Sequence, residues 1–229
     1  MASAGVRTYS DQIDSAGAST GEIVQAALDA ARPERGLRWL DIGCGRGDLL
    51  RKIRDEWEPD ALCGADPIDW LDDDLRADVS FHTVAAEHAD ALPTADRVLL
   101  VEVIEHLEAP WSALRKAARL VAPGGLIVVS TPNLASLRNR LELGLRGHLT
   151  SFRPHYEPHI SPALPHVTTR ILSEEDLIVE APRFAGADVI SFSKGHVWPE
   201  HVRGRYPSLT SVSTVIPARR APAEDGSTS

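Results

Sequence analysis

The sequence has few of the features that stabilise secreted proteins or anchor a chain in a membrane. Only two cysteines occur in 229 residues, Cys44 and Cys63, and Cys44 lies inside a glycine-rich turn, so a disulfide framework is not expected. No run of about 18 apolar residues is present. The first residues are small and polar, without a charged start followed by an apolar stretch. We therefore expect a cytoplasmic protein with no membrane partner.

Basic residues are also in the minority. The chain carries 24 Lys and Arg against 33 Asp and Glu, for a formal net charge of -9. Electrostatic affinity for nucleic acid requires clustered basic side chains, so a nucleic-acid partner is not expected. The length and the 43% hydrophobic content are sufficient for one domain with a full-sized core.

Helical and strand-like segments alternate between about residue 19 and residue 130, as they do when parallel strands are joined by crossover helices. Ser19 and Glu22 are spaced as a capping box and predict the first helix. Five short apolar runs predict parallel strands at 37–42, 61–66, 80–85, 97–103 and 126–130.

The second half of the chain has a different texture. Prolines recur through 133–170, which argues against long helices or inner strands there and predicts an inserted lid. Ser173 is placed to cap a helix, with Asp176 three residues later. The apolar runs 189–192 and 211–216 predict a final antiparallel pair.

These observations predict one α/β domain over 19–217, between a flexible N-terminus at 1–18 and a disordered tail at 218–229. Its expected architecture is a Rossmann-like, mostly parallel seven-stranded sheet with helices on both faces and the inserted lid at 133–170.

The most informative segment is a buried strand that runs into alternating glycines, Gly43, Gly45 and Gly47, and then into a helix. Glycines allow a sharp turn and a close approach to a ligand. The spacing G-x-G-x-G differs from the G-x-G-x-x-G of dinucleotide sites, and Asp41 would repel a pyrophosphate but attract an ammonium group. An oxidoreductase is therefore the weakest alternative.

This segment resembles the first motif of class I S-adenosylmethionine (SAM)-dependent methyltransferases, in which an acid stands two residues before the glycines. Further resemblances follow in order through residue 133. They imply SAM as the cofactor and a set of cofactor-binding residues: Asp41, Gly43, Cys44, Gly45, Gly47, Asp66, Pro67, Glu87 and Glu102.

The positions of the acids suggest their roles. Asp41 and the glycine backbone would face the methionine half of SAM, as the resemblance implies. Asp66 ends a strand about 20 residues beyond the glycines, where a carboxylate can accept both ribose hydroxyls. Either Glu87 or Asp90 would lie near the adenine, and we favour Glu87.

The reacting end is predicted at Glu105-His106, which follows the fourth strand. A hydroxyl acceptor must lose its proton, and an imidazole titrates near neutral pH, so His106 is the candidate base. Alternatively, the pair only positions the next helix. In a second alternative Glu102, Glu105 and His106 bind a metal, with His155 or His159 as a fourth ligand.

That metal-binding arrangement resembles the small-RNA 3'-terminal 2'-O-methyltransferases, and we do not favour it: no metal is expected. The segments 131–140 and 159–162 resemble methyltransferases that modify sugars, polyketides or quinone precursors. We therefore expect an enzyme that methylates a small-molecule acceptor, on a hydroxyl. A SAM-binding protein without catalysis remains an alternative. The lid arginines either meet an anionic acceptor or are solvated: Arg138, Arg140, Arg146 and Arg153.

Overall fold

Five parallel strands alternate with helices in the first half of the computed structural model, which describes residues 20–147, 165–187, 189–190, 196–197 and 200–223. The strands are β1 Arg38–Ile42, β2 Ala61–Asp66, β3 Val79–Thr83, β4 Ala95–Leu100 and β5 Val121–Pro132. The helices are α1 Thr20–Ala31, α2 Asp48–Trp57 and α3 Pro110–Arg119. Short 3-10 turns occupy Asp73–Leu75, Ala86–Ala91 and Ile104–His106. The five predicted parallel strands are confirmed, with boundaries that differ by a few residues.

Shorter elements follow in the second half. The helices are α4 Leu137–Arg146, α5 Pro165–Glu174, α6 Glu200–Arg205 and α7 Pro207–Thr210. The strands are β6 Leu177–Val179, β7 Arg183–Ala187, β8 Val189–Ile190, β9 His196–Val197 and β10 Ser211–Arg220.

The strands form one large sheet in the order β3-β2-β1-β4-β5-β10-β6, with β7 also paired to β10. Strands β1 to β5 are parallel, and β10 runs antiparallel to β5. Strands β6 and β7 lie end to end along the outer edge of β10. Together they occupy one edge position, so the expected mostly parallel, seven-stranded Rossmann-like sheet is confirmed.

A hydrophobic core lies on each face of this sheet because successive strand residues point to opposite sides. Trp39 of β1 packs with residues of α1 and α2 on one face. Leu40, the next residue, packs with residues of α3 and α5 on the other face. By the same alternation, Asp41 lies on the face of α1 and α2. None of the helices in the described ranges is long and apolar enough to cross a membrane.

The prolines of 133–170 argue against long helices there, and the structure shows a ten-residue helix near the start of this segment and another that overlaps its end; the lid itself stays a prediction. Helix α4 begins at Leu137, capped by Ser136, whose Oγ accepts a hydrogen bond from the Asn139 N–H at 3.2 Å. Helix α5 begins at Pro165, because proline is tolerated in the first turn of a helix. Residues 148–164, which include His155 and His159, lie outside the described ranges.

The expected helix start at Ser173 is also wrong. Ser173 lies in the last turn of α5, where its Oγ donates to the Thr169 carbonyl at 3.0 Å. The helix forms upstream because Ile171 and Leu172 bury one of its faces in the core. At the first helix, α1 begins at Thr20, and Ser19 lies outside the described residues.

Two expectations about the C-terminal strands need correction. The run expected at 189–192 does not close the large sheet, because β8 pairs with β9 in a separate two-stranded sheet. The partner of the run at 211–216 is instead β5, with β6 and β7 on its other edge. Strand β10 continues to Arg220, and Ala218 is fully buried, so the expected tail boundary at 217 falls inside a strand.

Candidate active site

The glycine turn joins β1 to α2 at the carboxyl edge of the parallel strands. Gly43, Gly45 and Gly47 have φ angles of 81°, 52° and 89°, in the left-handed region that favours glycine. The N–H groups of Gly43 and Cys44 both donate to the Ala65 carbonyl, at 2.7 and 3.1 Å. The turn is therefore fastened to the end of β2.

The three glycines differ in what surrounds them. A Cβ at Gly43 would overlap the Val103 side chain, and one at Gly47 would overlap Leu71 and Leu75. A Cβ at Gly45 would meet no heavy atom within 4 Å. Gly43 and Gly47 thus allow neighbouring loops to pack closely, whereas Gly45 faces open space that a ligand can fill.

Asp41, near the end of β1 and two residues before Gly43, is a buried carboxylate with 4% of its surface exposed. Burial, together with the smaller effect of the nearby charge of Asp66, raises its pKa to about 7. In the described part of the chain no Lys, Arg or His acts on this carboxylate. A buried charge without a counter-charge is unfavourable, so the site suits a ligand that brings an ammonium group.

Asp66 ends β2 with its carboxylate fixed by two backbone N–H groups. Gly45 donates to Oδ2 and Ile68 donates to Oδ1, each at 3.1 Å. Burial raises the pKa of Asp66, and these two hydrogen bonds oppose that shift. Each oxygen keeps capacity for a further donor, as ribose hydroxyls require. Pro67 and Ile68 are exposed directly beside it.

Cys44 has its polar groups engaged within the turn. Its N–H bonds Ala65, and its carbonyl accepts from the Gly47 N–H at 2.9 Å. Its buried thiol packs over Gly64, and burial raises the pKa of the thiol far above its usual range. We infer that Cys44 shapes the turn; its direct contact with the cofactor stays a prediction.

The structure separates the two candidates for the adenine end. Asp90 forms an ion pair with Lys116 at 2.6 Å, which holds the pKa of Asp90 below its usual range. Glu87 uses only its backbone carbonyl to accept from the same Lys116 Nζ, at 2.7 Å. The ion pair engages Asp90 and leaves the preference for Glu87 at the adenine end as a prediction.

The turn after β4 carries Glu102, Glu105 and His106. Glu105 is buried, His106 is exposed, and His106 Nε2 lies 3.8 Å from Glu105 Oε1. Val103, in the same turn, packs against Gly43. The turn that holds the candidate base therefore touches the glycine turn directly.

The Glu102 carboxylate points towards two serines and not into a metal-binding cluster. Ser130 and Ser213 donate to Glu102 Oε1 at 2.7 and 2.6 Å. Burial raises the pKa of Glu102, and both hydrogen bonds oppose the shift. Within the described residues, no three side chains of His, Cys, Asp or Glu gather in a metal-binding group.

Sequence reasoning missed the two serines. Ser130 lies in an apolar strand and Ser213 in another, 83 residues later, and both are fully buried. A hydroxyl in a buried strand needs a partner, which is a signal in itself. Nothing in the spacing of these residues identifies Glu102 as that partner.

Asn133 anchors the segments that border the site beyond β5. Its Nδ2 donates to the Ser208 carbonyl at 2.8 Å, and its own carbonyl accepts from Asn139 Nδ2 at 2.8 Å. These bonds fasten α7 and α4 to the end of β5. Arg140 donates to the Ala135 carbonyl at 2.9 Å, so that side chain serves the local structure.

With this geometry in place, comparison with known proteins assigns a family. A family model described as a methyltransferase domain matches residues 18–175. The chain belongs to the methyltransferase domain family. The resemblance to class I SAM-dependent methyltransferases is thereby confirmed.

Named relatives of this methyltransferase include ubiquinone biosynthesis O-methyltransferases. The protein of Rhizobium leguminosarum bv. trifolii (strain WSM2304) is 40% identical over 112 residues, which cover 45% of this chain and 44% of that protein. The protein of Ruegeria pomeroyi is 38% identical over 119 residues, covering 46% and 45%. The chain spans less than half the length of these relatives.

Solved structures show the same fold at low identity. A SAM-dependent methyltransferase from Archaeoglobus fulgidus has a TM-score of 0.63 at 20% identity, covering 93% of this chain and 100% of that one. The N-methyltransferase NodS of Bradyrhizobium japonicum, in complex with S-adenosylhomocysteine (SAH), has a TM-score of 0.55 at 16% identity, covering 86% and 85%.

Proposed function

We propose that the protein transfers a methyl group from SAM to a hydroxyl of a small molecule. The observation that carries this proposal is the pair of neighbouring buried carboxylates, Asp41 and Asp66, at the glycine turn, where Gly45 bonds Asp66 and faces open space. The named relatives, which are O-methyltransferases of ubiquinone biosynthesis, support oxygen as the acceptor atom and a quinone precursor with phenolic hydroxyls as the acceptor class.

The residues of the β1–β2 edge fit this cofactor. Asp41 would pair with the α-ammonium group, which supplies the charge that the buried carboxylate lacks. Asp66, held by two backbone N–H groups, would accept the ribose hydroxyls. Exposed Pro67 and Ile68 would cover the adenine, with Glu87 at its rim.

The sulfonium of SAM supplies an electrophilic methyl group, so the protein's own tasks are to align the acceptor and to remove its proton. His106 is the residue that we assign to the second task, because it is exposed at the carboxyl edge where ligands of such folds bind. Glu105, buried beside it, would orient the imidazole.

Two measurements test the proposal. Calorimetric titration with SAH should show one binding site, and its absence would remove the cofactor assignment. Incubation with methyl-labelled SAM and catechol, a small molecule with adjacent phenolic hydroxyls, should give labelled methoxyphenol by mass spectrometry. Binding of SAH without transfer to catechol or to hydroxyl compounds in a cell extract would favour a binding protein without catalysis.

A further inference from the structure

Glu102 is held in an unusual backbone conformation just after β4. Its φ is 56°, in the left-handed region that residues other than glycine seldom occupy. Its N–H donates to Ser130 Oγ at 2.9 Å, and the same hydroxyl donates to Glu102 Oε1 at 2.7 Å. Ser130 thus closes a ring that fixes both the backbone and the side chain. Residues constrained in this way cluster at active sites.

A second serine reaches the same carboxylate oxygen from another strand. Ser213 Oγ lies 2.6 Å from Glu102 Oε1 and 3.0 Å from the Thr131 carbonyl. In the β5–β10 pair, Ser213 stands opposite Pro132 and Ser130 opposite Val215, which places the serines diagonally on one face. Hydroxyls from two strands that are far apart in sequence therefore meet at one carboxylate oxygen of Glu102.

We call the contact of Glu102 with Ser130 and Ser213 the clasp. It lies at the carboxyl edge of the sheet, on the other side of β4 from the two aspartates. In the strand order β2-β1-β4-β5-β10, Asp41 and Asp66 lie on one side of β4 and both serines lie on the other. Glu102 is only partly buried by surface area. In the part of the chain that the structure describes, its Oε2 accepts no hydrogen bond, because both serines use Oε1.

We propose that Glu102 contacts the methyl acceptor, with Oε2 accepting a hydrogen bond from an acceptor hydroxyl, and that Ser130 and Ser213 are positioning residues that orient it. The inference rests on the proposed function, because it assumes a hydroxyl acceptor at this edge. The sequence predicts that Glu102 contacts the cofactor, whereas this inference assigns it to the acceptor half of the site, at the ends of β4, β5 and β10.

The test uses the full chain saturated with SAH and titrated with catechol, followed by initial rates of catechol methylation. Ser213→Ala should weaken catechol binding and raise the KM for catechol about tenfold. Without the hydrogen bond from Ser213, the Glu102 carboxylate is no longer oriented to accept a hydrogen bond from the catechol hydroxyl. Its kcat should change less, and its SAH affinity should stay within about twofold of the wild type. Ser213→Thr keeps the hydroxyl and should restore catechol binding.

Thr214→Val is the matched control. Thr214 is the next residue on β10, on the opposite face, and its buried Oγ1 has no hydrogen-bond partner among the described residues. Removing that hydroxyl changes the polarity of the strand by the same amount without touching Glu102. Catechol and SAH affinities should both match those of the wild type.

Each of the following outcomes would overturn the inference. Equal catechol affinity in Ser213→Ala and the wild type would show that the clasp does not orient an acceptor contact. A tenfold loss of SAH affinity in Ser213→Ala or Glu102→Gln would place Glu102 in the cofactor half. A wild-type SAH complex that does not bind catechol would contradict both this inference and the phenolic acceptor class of the proposed function.

Failure of the variant to fold does not block the test. Thermal melting identifies that case, and Glu102→Gln then gives the same comparison, since it removes the charge and keeps the size of the side chain. It should weaken catechol binding by tenfold or more and leave SAH binding unchanged. Unchanged catechol binding in Glu102→Gln would overturn the inference.

Discussion

The two halves of the site hold their carboxylates by different means. At the β1–β2 edge, Asp66 is fixed by backbone N–H groups, and Asp41 is buried without a cation among the described residues. At the β4–β5–β10 edge, Glu102 is held by the side chains of Ser130 and Ser213. In the first half, a ligand must supply the charge that balances Asp41. In the second half, side chains of the protein already hold the Glu102 carboxylate in place.

The largest expected effect is the loss of SAH affinity when the charge of Asp41 is removed. Asp41→Asn should lower SAH affinity about 100-fold, because it removes the charged partner of the ligand ammonium group. The measurement is calorimetric titration with SAH. Asp48→Asn is the control, since Asp48 lies just beyond the same turn but its side chain is exposed. Similar losses in both variants would show that Asp41 has no special role.

His106→Ala sharpens the comparison on the acceptor side. Turnover of catechol should fall about 100-fold through loss of a general base, with little change in SAH affinity. His82→Ala, on edge strand β3 away from the turn after β4, provides the control. An unaltered rate in His106→Ala would remove the base assignment and leave the Glu105-His106 pair with a structural role.

The glycine turn offers a comparison within the first half. Gly43→Ala should lower the free energy of unfolding by about 2 kcal/mol or more, because it strains a positive φ and overlaps Val103. Gly45→Ala should destabilise less, because its Cβ enters open space, and should instead weaken SAH binding. Chemical denaturation and calorimetry distinguish the two. Adding Val103→Ala should restore part of the stability lost in Gly43→Ala.

The smallest expected effect is the dependence of SAH affinity on pH. With a pKa of about 7, Asp41 goes from about one tenth ionised at pH 6 to about nine tenths at pH 8. Only the ionised form attracts the ammonium group, so SAH affinity should rise about tenfold over this interval and fall as the pH drops. Asp41→Asn should abolish the dependence. A flat profile in the wild type would mean that Asp41 stays ionised throughout.

The same contrast explains what could be predicted from the sequence. Asp41, the glycines and Asp66 lie within one strand-turn-helix-strand unit, so their spacing alone brings them together. The five parallel strands are short apolar runs bounded by turn residues, and they were predicted for that reason. The clasp on Glu102 depends on the pairing of β5 with β10, which no local pattern encodes.

Local signals also misled where tertiary packing decided the structure. The prolines of 133–170 argue against a helix at Pro165, yet Pro165 belongs to α5, a helix that the buried side chains of Ile171 and Leu172 stabilise. Serine is a residue type that often caps the start of a helix, but Ser173 lies in the last turn of that helix. The polar composition of 218–229 favours a tail that includes Ala218, whereas this residue pairs with β5 and is fully buried.

The outer edge strand of the sheet has a consequence for how copies of the protein meet. The pairs Ala218↔Val179 and Val215↔Arg183 are three residues apart along β10 but four residues apart along the edge strand. One extra residue therefore bulges out between β6 and β7. A second chain approaching this border finds two short, offset stretches with no continuous ladder to extend. A bulge of this kind disfavours edge-to-edge strand pairing between copies of the protein at this border.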